Sequence, residues 1–214
     1  MKKTWIGAIA ALSIMLGGCG IHRTTVRLAP PETLAQPDAQ KVVIGDIRDQ
    51  RDFLITPDSH GDRLDKATRD ELGEAGRASV VGGAVRFVYD LPKGERVEDV
   101  VKALLVSGLQ NAGYRVVKAD DADAATPVVS ADIKEFWCYM PFNFGRALTW
   151  TMQLRTWVDT AVTFKGPQGE RSFVVSGRGG NISQFLSEEN IQQAYQPAFE
   201  EYIRAFRQKA NATL

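Results

Sequence analysis

The 214-residue sequence contains few of the side chains that metal sites, disulfides and most catalytic triads require. It has two cysteines, Cys19 and Cys138, and two histidines, His22 and His60. A histidine-based metal cluster or a Ser-His-Asp triad therefore has too few candidate residues. The 26 basic residues are balanced by 26 acidic ones, so the chain lacks the positive excess typical of nucleic-acid binding. We accordingly expect no metal, no cofactor and no nucleic-acid partner.

Long hydrophobic runs are also absent, except at the N-terminus, where the layout is typical of a secretory signal peptide. Lys2 and Lys3 precede the apolar segment 4–18, which is shorter than the ~20 residues that span a bilayer. The tetrad Leu16-Gly17-Gly18-Cys19 resembles the lipobox of bacterial lipoproteins. This resemblance implies cleavage after Gly18 and attachment of diacylglycerol, with a further acyl chain such as palmitate, to Cys19. An ordinary signal peptide with an incidental cysteine is the alternative.

The residue after the lipobox cysteine bears on which membrane holds the lipid. In bacterial lipoproteins an aspartate at this position favours retention in the inner membrane, and this chain has Gly20 instead. The resemblance therefore implies an outer-membrane protein that faces the periplasm. Two or three acyl chains would anchor it firmly, without a spanning segment.

We expect three parts: a signal peptide (1–18), the lipidated cysteine with a flexible tether (19–40), and one periplasmic domain (41–214). Pro30, Pro31 and Pro37 lie in the tether, and a proline-rich composition favours an extended chain. Fully stretched, residues 20–40 would reach on the order of 60 Å at ~3.3 Å per residue. Such a tether would hold the domain well away from the membrane.

Apolar periodicity predicts the elements of that domain. Helical spacing indicates helices over 97–112 and from about residue 188, the second with Ser187 as N-cap and a kink or break at Pro197. Alternation over 150–164 indicates a long half-buried strand, with Trp150 on its apolar face. We predict an α+β fold with a mostly antiparallel sheet of about five to six strands and two helices packed on one face.

Several short motifs within this layout resemble the YajG-like family of bacterial outer-membrane lipoproteins. They are an Asp-x-Arg at the end of the first strand, Lys66-Ala67-Thr68-Arg69-Asp70, Gly113-Tyr114, and Asn190-Ile191-x-x-Ala194 at the start of the last helix. The family has no established biochemical activity. The resemblance therefore implies an outer-membrane periplasmic lipoprotein and no reaction. Pro197 and an additional aromatic segment depart from the family's pattern.

That aromatic segment, 136–150, is the main candidate for a binding surface. It contains Phe136, Trp137, Tyr139, Met140, Pro141, Phe142, Phe144 and Trp150. One interpretation packs these side chains into the core, and the other exposes them to a protein partner or to lipid. For the second interpretation Phe142 and Phe144 are the leading candidates, followed by Tyr139 and Trp137.

Three other groups of residues admit a functional and a structural interpretation. Asp46, Arg48 and Asp49 form either a charged strand end, which we favour, or a buried ion pair or ligand site. The aspartates around His60 are more typical of a solvated loop than of a calcium site. Cys138 is either a buried apolar side chain, which we favour, or a reactive thiol.

The sequence favours a non-enzymatic lipoprotein that has a binding or assembly role with an envelope protein partner. One alternative is an auxiliary lipid- or substrate-handling subunit of an envelope transport system, which would need an apolar cavity between sheet and helices. The second alternative is a hydrolase of envelope polymers, which would need a cleft with two converging acids.

Overall fold

The structure, a computed structural model, describes residues 22–51, 87–139, 146 and 149–213. Several predicted features lie outside the described residues. They are the signal peptide, the Gly18–Cys19 cleavage site, the aspartates around His60, and the leading surface candidates Phe142 and Phe144.

The described part of the chain forms seven strands and two helices. In chain order they are β1 (His22–Thr25), β2 (Gln40–Asp49), β3 (Phe87–Asp90), α1 (Val97–Asn111), β4 (Tyr114–Val117), β5 (Val128–Tyr139), β6 (Met152–Gly166), β7 (Gly169–Ser183) and α2 (Glu188–Thr213).

Five of these strands form one sheet in the order β4-β2-β5-β6-β7, and β1 pairs with β3 separately. Strand β2 runs parallel to both β4 and β5, whereas β5–β6 and β6–β7 are antiparallel. The predicted α+β fold with two helices is therefore confirmed, and its sheet is mixed rather than purely antiparallel. The parallel part arises because the long connection from β2 to β4 contains α1, and such a crossover allows parallel pairing.

Strand β6 has the predicted alternation. Its inward side chains are buried beneath the helices: Leu154, Thr156, Val158, Thr160, Val162 and Phe164. Trp150 does not belong to this set, because β6 begins at Met152 and the indole is exposed. The prediction that Trp150 lies on the apolar face is therefore wrong.

Both helices contribute an apolar stripe to the core. In α1 the stripe includes Val97, Val101, Leu104 and Leu109, all fully buried. Gly113 follows α1 with φ of 91°, a left-handed conformation that suits glycine at a helix C-terminus.

Helix α2 continues without a break through Pro197. Tyr195 and Phe199, on either side of the proline, are both buried, and their tilted rings have centroids 5.4 Å apart. Packing of the helix on the sheet therefore overrides the local cost of the proline, and the predicted break is not observed.

The glycine-rich stretch of β7 lets α2 approach the sheet closely. A Cβ at Gly179 would lie 2.7 Å from the Ala198 nitrogen and 2.8 Å from the Ala194 oxygen, and one at Gly177 would overlap the Ala198 carbonyl. Both glycines lie inside β7. They are required because the helix backbone rests on them.

The N-terminal segment packs along the domain rather than extending from it. Val26 and Leu28 are 0% and 6% exposed and belong to the core. Further along, the Ser107 hydroxyl donates to the Pro31 oxygen at 2.6 Å, and Arg115 donates to the Pro37 oxygen at 2.9 Å. This corrects the prediction of a flexible tether over 20–40, because the buried side chains of Val26 and Leu28 and two side-chain donors hold 26–37 in place.

A methyl group at Gly177 should destabilise the fold, because it would force α2 away from β7. We expect Gly177→Ala to lower the free energy of unfolding by about 1–3 kcal/mol, the usual cost of overpacking. Gly166→Ala is the matched control, since a Cβ there would meet Pro127 at an ordinary 3.4 Å. Urea denaturation of both variants measures the effect, and equal losses would contradict the close helix approach.

Candidate functional site

One end of the sheet carries three exposed apolar side chains. Trp150 is 84% exposed, Ile182 54% and Phe185 73%. Ile182 pairs with Gln153 at the start of β6, while Trp150 and Phe185 each lie two residues beyond a strand end. The three residues therefore share one end of the sheet, which we call the aromatic end. Exposed apolar groups that cluster in this way are typical of binding surfaces.

Trp150 is held in a strained turn. Its φ of 52° lies in the left-handed region, which costs a residue with a side chain about 1–2 kcal/mol. The N–H groups of Thr149 and Thr151 both donate to the Arg146 oxygen at 3.1 Å, and the two threonine hydroxyls are 2.9 Å apart. These bonds fix the turn and keep the indole pointing outward. Strain of this kind tends to persist at functional sites.

Phe185 is held by the first turn of α2. The Asn190 side chain donates to the Phe185 oxygen at 2.9 Å, and the Ser183 hydroxyl donates to the same oxygen at 2.7 Å. The Asn190 N–H in turn donates to the Ser187 hydroxyl at 3.2 Å, which confirms Ser187 as the N-cap.

The N-terminal segment joins the domain at the aromatic end. The Arg27 N–H donates to the Glu188 carboxylate at 3.1 Å, and the Gln192 side chain donates to the Arg27 oxygen at 2.9 Å. Just before this, the Val26 N–H donates to the Asp90 oxygen at 2.8 Å. The chain that follows Cys19 is thus fixed beside the first turn of α2, three residues after Phe185.

Trp137, one of the predicted surface residues, is buried with 3% exposure. The Arg51 guanidinium lies over its ring, 5.0 Å from the centroid. This burial corrects its inclusion among the surface candidates, although Trp137 does not belong to the hydrophobic core beneath the helices. The side chain of Tyr139 lies outside the described part, whereas Trp150 is the exposed aromatic that the sequence assigned to the core face.

A buried ion pair lies at the end of β2. Arg51 bonds Asp49 through two guanidinium nitrogens, at 2.7 and 3.0 Å, and donates to the Phe136 oxygen at 3.2 Å. Both side chains are fully buried. For Asp49 the structure therefore shows the buried ion pair and not the charged strand end that we favoured, and its partner is Arg51, which the sequence did not indicate. An arginine two residues after a strand-end aspartate was the available signal.

The neighbouring arginine has a different role. Arg48 is 62% exposed and bonds Asp132 at 2.8 Å. On the same face of the sheet, away from the helices, Arg178 bonds Asp159 at 2.7 Å. Asp132 and Asp159 are thus engaged with guanidinium groups on this face, as in a structural ion-pair network.

Cys138 is fully buried, which agrees with its interpretation as an apolar core residue. Burial raises the pKa of its thiol well above the usual range, so the thiolate that reacts with electrophiles is scarce. Among the described residues, no group of histidine, cysteine and acidic side chains is arranged to hold a metal ion. No helix in the described ranges is long and apolar enough to cross a membrane.

An open groove of about 610 Å³ runs between the segment 28–33 and α1. Leu28, Val100 and Val106 line it together with the acids Glu32 and Asp99. Asp99 caps α1 by accepting the Arg96 N–H at 2.9 Å. The groove lies outside α1, whereas the space between helices and sheet is filled by core side chains such as Leu104, Leu105 and Phe199.

The buried and exposed arginines provide a matched pair for measuring what the buried ion pair contributes. Arg51→Leu would leave Asp49 charged without its guanidinium, and we expect it to cost about 3–5 kcal/mol of unfolding free energy. Arg48→Leu removes an exposed pair and should cost at most about 1 kcal/mol. Urea denaturation followed by circular dichroism compares the two. Similar losses would show that the buried pair contributes no more than a surface one.

By sequence, no family profile and no curated protein matches the chain. Solved structures share its general outline at low identity. They include an uncharacterized protein (TM-score 0.43, 8% identity, 89% of this chain and 96% of the other). Another is a putative neuraminyllactose-binding hemagglutinin homolog from Helicobacter pylori (TM-score 0.35, 10% identity, 89% of this chain and 92% of the other). A further one is the lipoprotein GNA1162 from Neisseria meningitidis (TM-score 0.27, 13% identity, 81% of this chain and 99% of the other). Overlap at this level does not extend to function.

Proposed function

We propose that this chain is a YajG-like lipoprotein of the bacterial outer membrane, anchored through acylated Cys19 and facing the periplasm. Its role is non-enzymatic binding or assembly in the cell envelope, with an envelope protein as partner. The lipobox-like tetrad and the preceding apolar run carry the anchoring part of this proposal.

The position of the N-terminal segment supports anchoring. Val26 is fully buried only seven residues after Cys19, and Arg27 is bonded to α2. Lipid on Cys19 would therefore act on the domain through a short connection. A domain that is joined so closely to its anchor is suited to a fixed position at the membrane rather than to a wide search around it.

The side chains of the described part favour binding over catalysis. Cys138 is buried, and the Asp49 carboxylate is bonded to Arg51 inside the core. Trp150 and Phe185, in contrast, present large apolar surfaces to solvent. Exposed aromatics of this kind are enriched at interaction surfaces.

The two alternatives make different demands on the structure. A lipid- or substrate-handling subunit would use a cavity between sheet and helices, and the groove beside α1 is instead open and bordered by Glu32 and Asp99. A hydrolase would need two acids that converge on a bond, and Asp132 and Asp159 are engaged with arginines. We therefore favour the binding role.

Replacement of Cys19 tests the anchoring proposal. We expect Cys19→Ala to lose the acyl mass and to move from the membrane fraction to the soluble periplasmic fraction, because lipid is the proposed attachment. Mass spectrometry of the purified protein and density-gradient fractionation of cell envelopes measure both effects.

Cys138→Ala is the matched control for that experiment and should keep both the acyl mass and the membrane location. Gly20→Asp should keep the acyl mass and move the protein to the inner-membrane fraction. A wild-type protein without acyl mass, or a Cys19→Ala protein that remains in the membrane fraction, would contradict the proposal.

A further inference from the structure

We propose that the aromatic end lies against the lipid headgroups of the membrane that holds Cys19, with Trp150, Ile182 and Phe185 entering the interface. This inference rests on the proposed function, because it requires lipid on Cys19. It adds an orientation and a second membrane contact, which lipidation alone does not provide.

The chain that follows Cys19 meets the domain after only a few residues. Only Gly20 and Ile21 separate Cys19 from β1, and Arg27 is bonded to Glu188 and Gln192 at the start of α2. Eight residues join Cys19 to Arg27, and a fully extended chain of that length reaches about 28 Å at most. The surface around the first turn of α2 must therefore remain near the bilayer.

The surface around the first turn of α2 carries exposed apolar side chains. Phe185 lies three residues before Glu188 and is bonded through its oxygen to Asn190. Ile182 lies on β7, three residues before Phe185. Trp150 lies just before β6, whose first residue pairs with the last residue of β7. The exposed apolar side chains and the entry point of the chain are thus neighbours.

The other end of the sheet is different. Its β6–β7 turn consists of the exposed residues Lys165, Pro167, Gln168 and Gly169 with Gly166 between them. This polar turn lacks the aromatic side chains of the opposite end. If the domain contacts the bilayer at one end, the aromatic end is the one with suitable chemistry.

A lipid surface suits the exposed side chains of the aromatic end. Tryptophan and other apolar side chains favour the membrane interface, where a ring contacts acyl chains and its N–H stays hydrated. A lipid surface also accepts side chains that project separately, without the shape of a protein pocket. Exposed charges near this end have both signs, with Arg27 and Arg155 against Glu188 and Glu189. Contact should therefore depend on the aromatics and little on anionic lipid.

Fluorescence quenching by brominated lipid tests this contact. The full lipidated protein is reconstituted in phosphatidylcholine vesicles whose acyl chains carry bromine, and its tryptophan emission is recorded. We expect marked quenching in the wild type and loss of most of it in Trp150→Phe. Trp157→Phe is the control and should keep the quenching, because Trp157 lies within β6 and is only partly exposed.

A matched pair of introduced tryptophans locates the contact. Ile182 and Val174 are 54% and 52% exposed on the same face of β7, but eight residues apart, or about 26 Å at ~3.3 Å per residue. In the Trp150→Phe protein, Ile182→Trp should restore the quenching and Val174→Trp should not. Near-ultraviolet circular dichroism in detergent checks that each variant keeps its fold.

The outcomes separate this inference from the proposed function. If the protein carries acyl chains and is bound to vesicles, but wild type and Trp150→Phe are quenched equally, membrane contact by the aromatic end is wrong and the lipoprotein proposal stands. That result would leave the aromatic end available to a protein partner. If mass spectrometry finds no acyl chain on Cys19, the proposed function fails and this inference fails with it.

Discussion

The fold depends on the direct contact between the backbone of α2 and the glycines of β7. Gly177 and Gly179 remove the side chains that would separate the helix from the sheet. At this short distance Thr156 of β6 donates to the Ala194 oxygen at 2.8 Å, and Thr160 bonds the Tyr202 hydroxyl at 2.6 Å. Burial raises the pKa of the Tyr202 phenol, which favours its protonated, hydrogen-bonded form. The polar groups of the interface are thereby satisfied while the aromatic side chains of α2 fill the core.

The same helix determines where the N-terminal chain joins the domain. Its exposed side binds the backbone of Arg27 through Glu188 and Gln192, and the core takes up Val26 and Leu28. Because α2 begins beside Phe185, the chain from Cys19 arrives next to exposed apolar side chains rather than at a distance from them. The proposed anchor, orientation and contact surface are all consistent with this one packing arrangement.

The sequence predicted those features that depend on local patterns and missed those that depend on distant contacts. Three features each depend on about 15 consecutive residues or fewer, and the sequence predicts all of them: the apolar stripe of α1, the Ser187 N-cap and the alternation of β6. The tether prediction was wrong because Pro30 and Pro31 suggest extension but say nothing of the side chains that bind 26–37. The sequence also does not show that α2 continues through Pro197 or that the β7 glycines admit the helix, since both depend on contact between β7 and α2. The sequence offers Asp49 as a candidate for a buried ion pair but does not indicate Arg51 as its partner, because spacing alone does not show which arginine is buried.

We propose that the domain lies at the membrane surface and not on a long tether. Neutron reflectometry of the lipidated protein on a supported bilayer measures this separation directly. Residues 20–25 separate Cys19 from the buried Val26 and span about 20 Å at most at ~3.3 Å per residue. We expect protein density to begin within that distance of the headgroups. A hydrated gap on the order of 60 Å, the reach of an extended 20–40 segment, would contradict it.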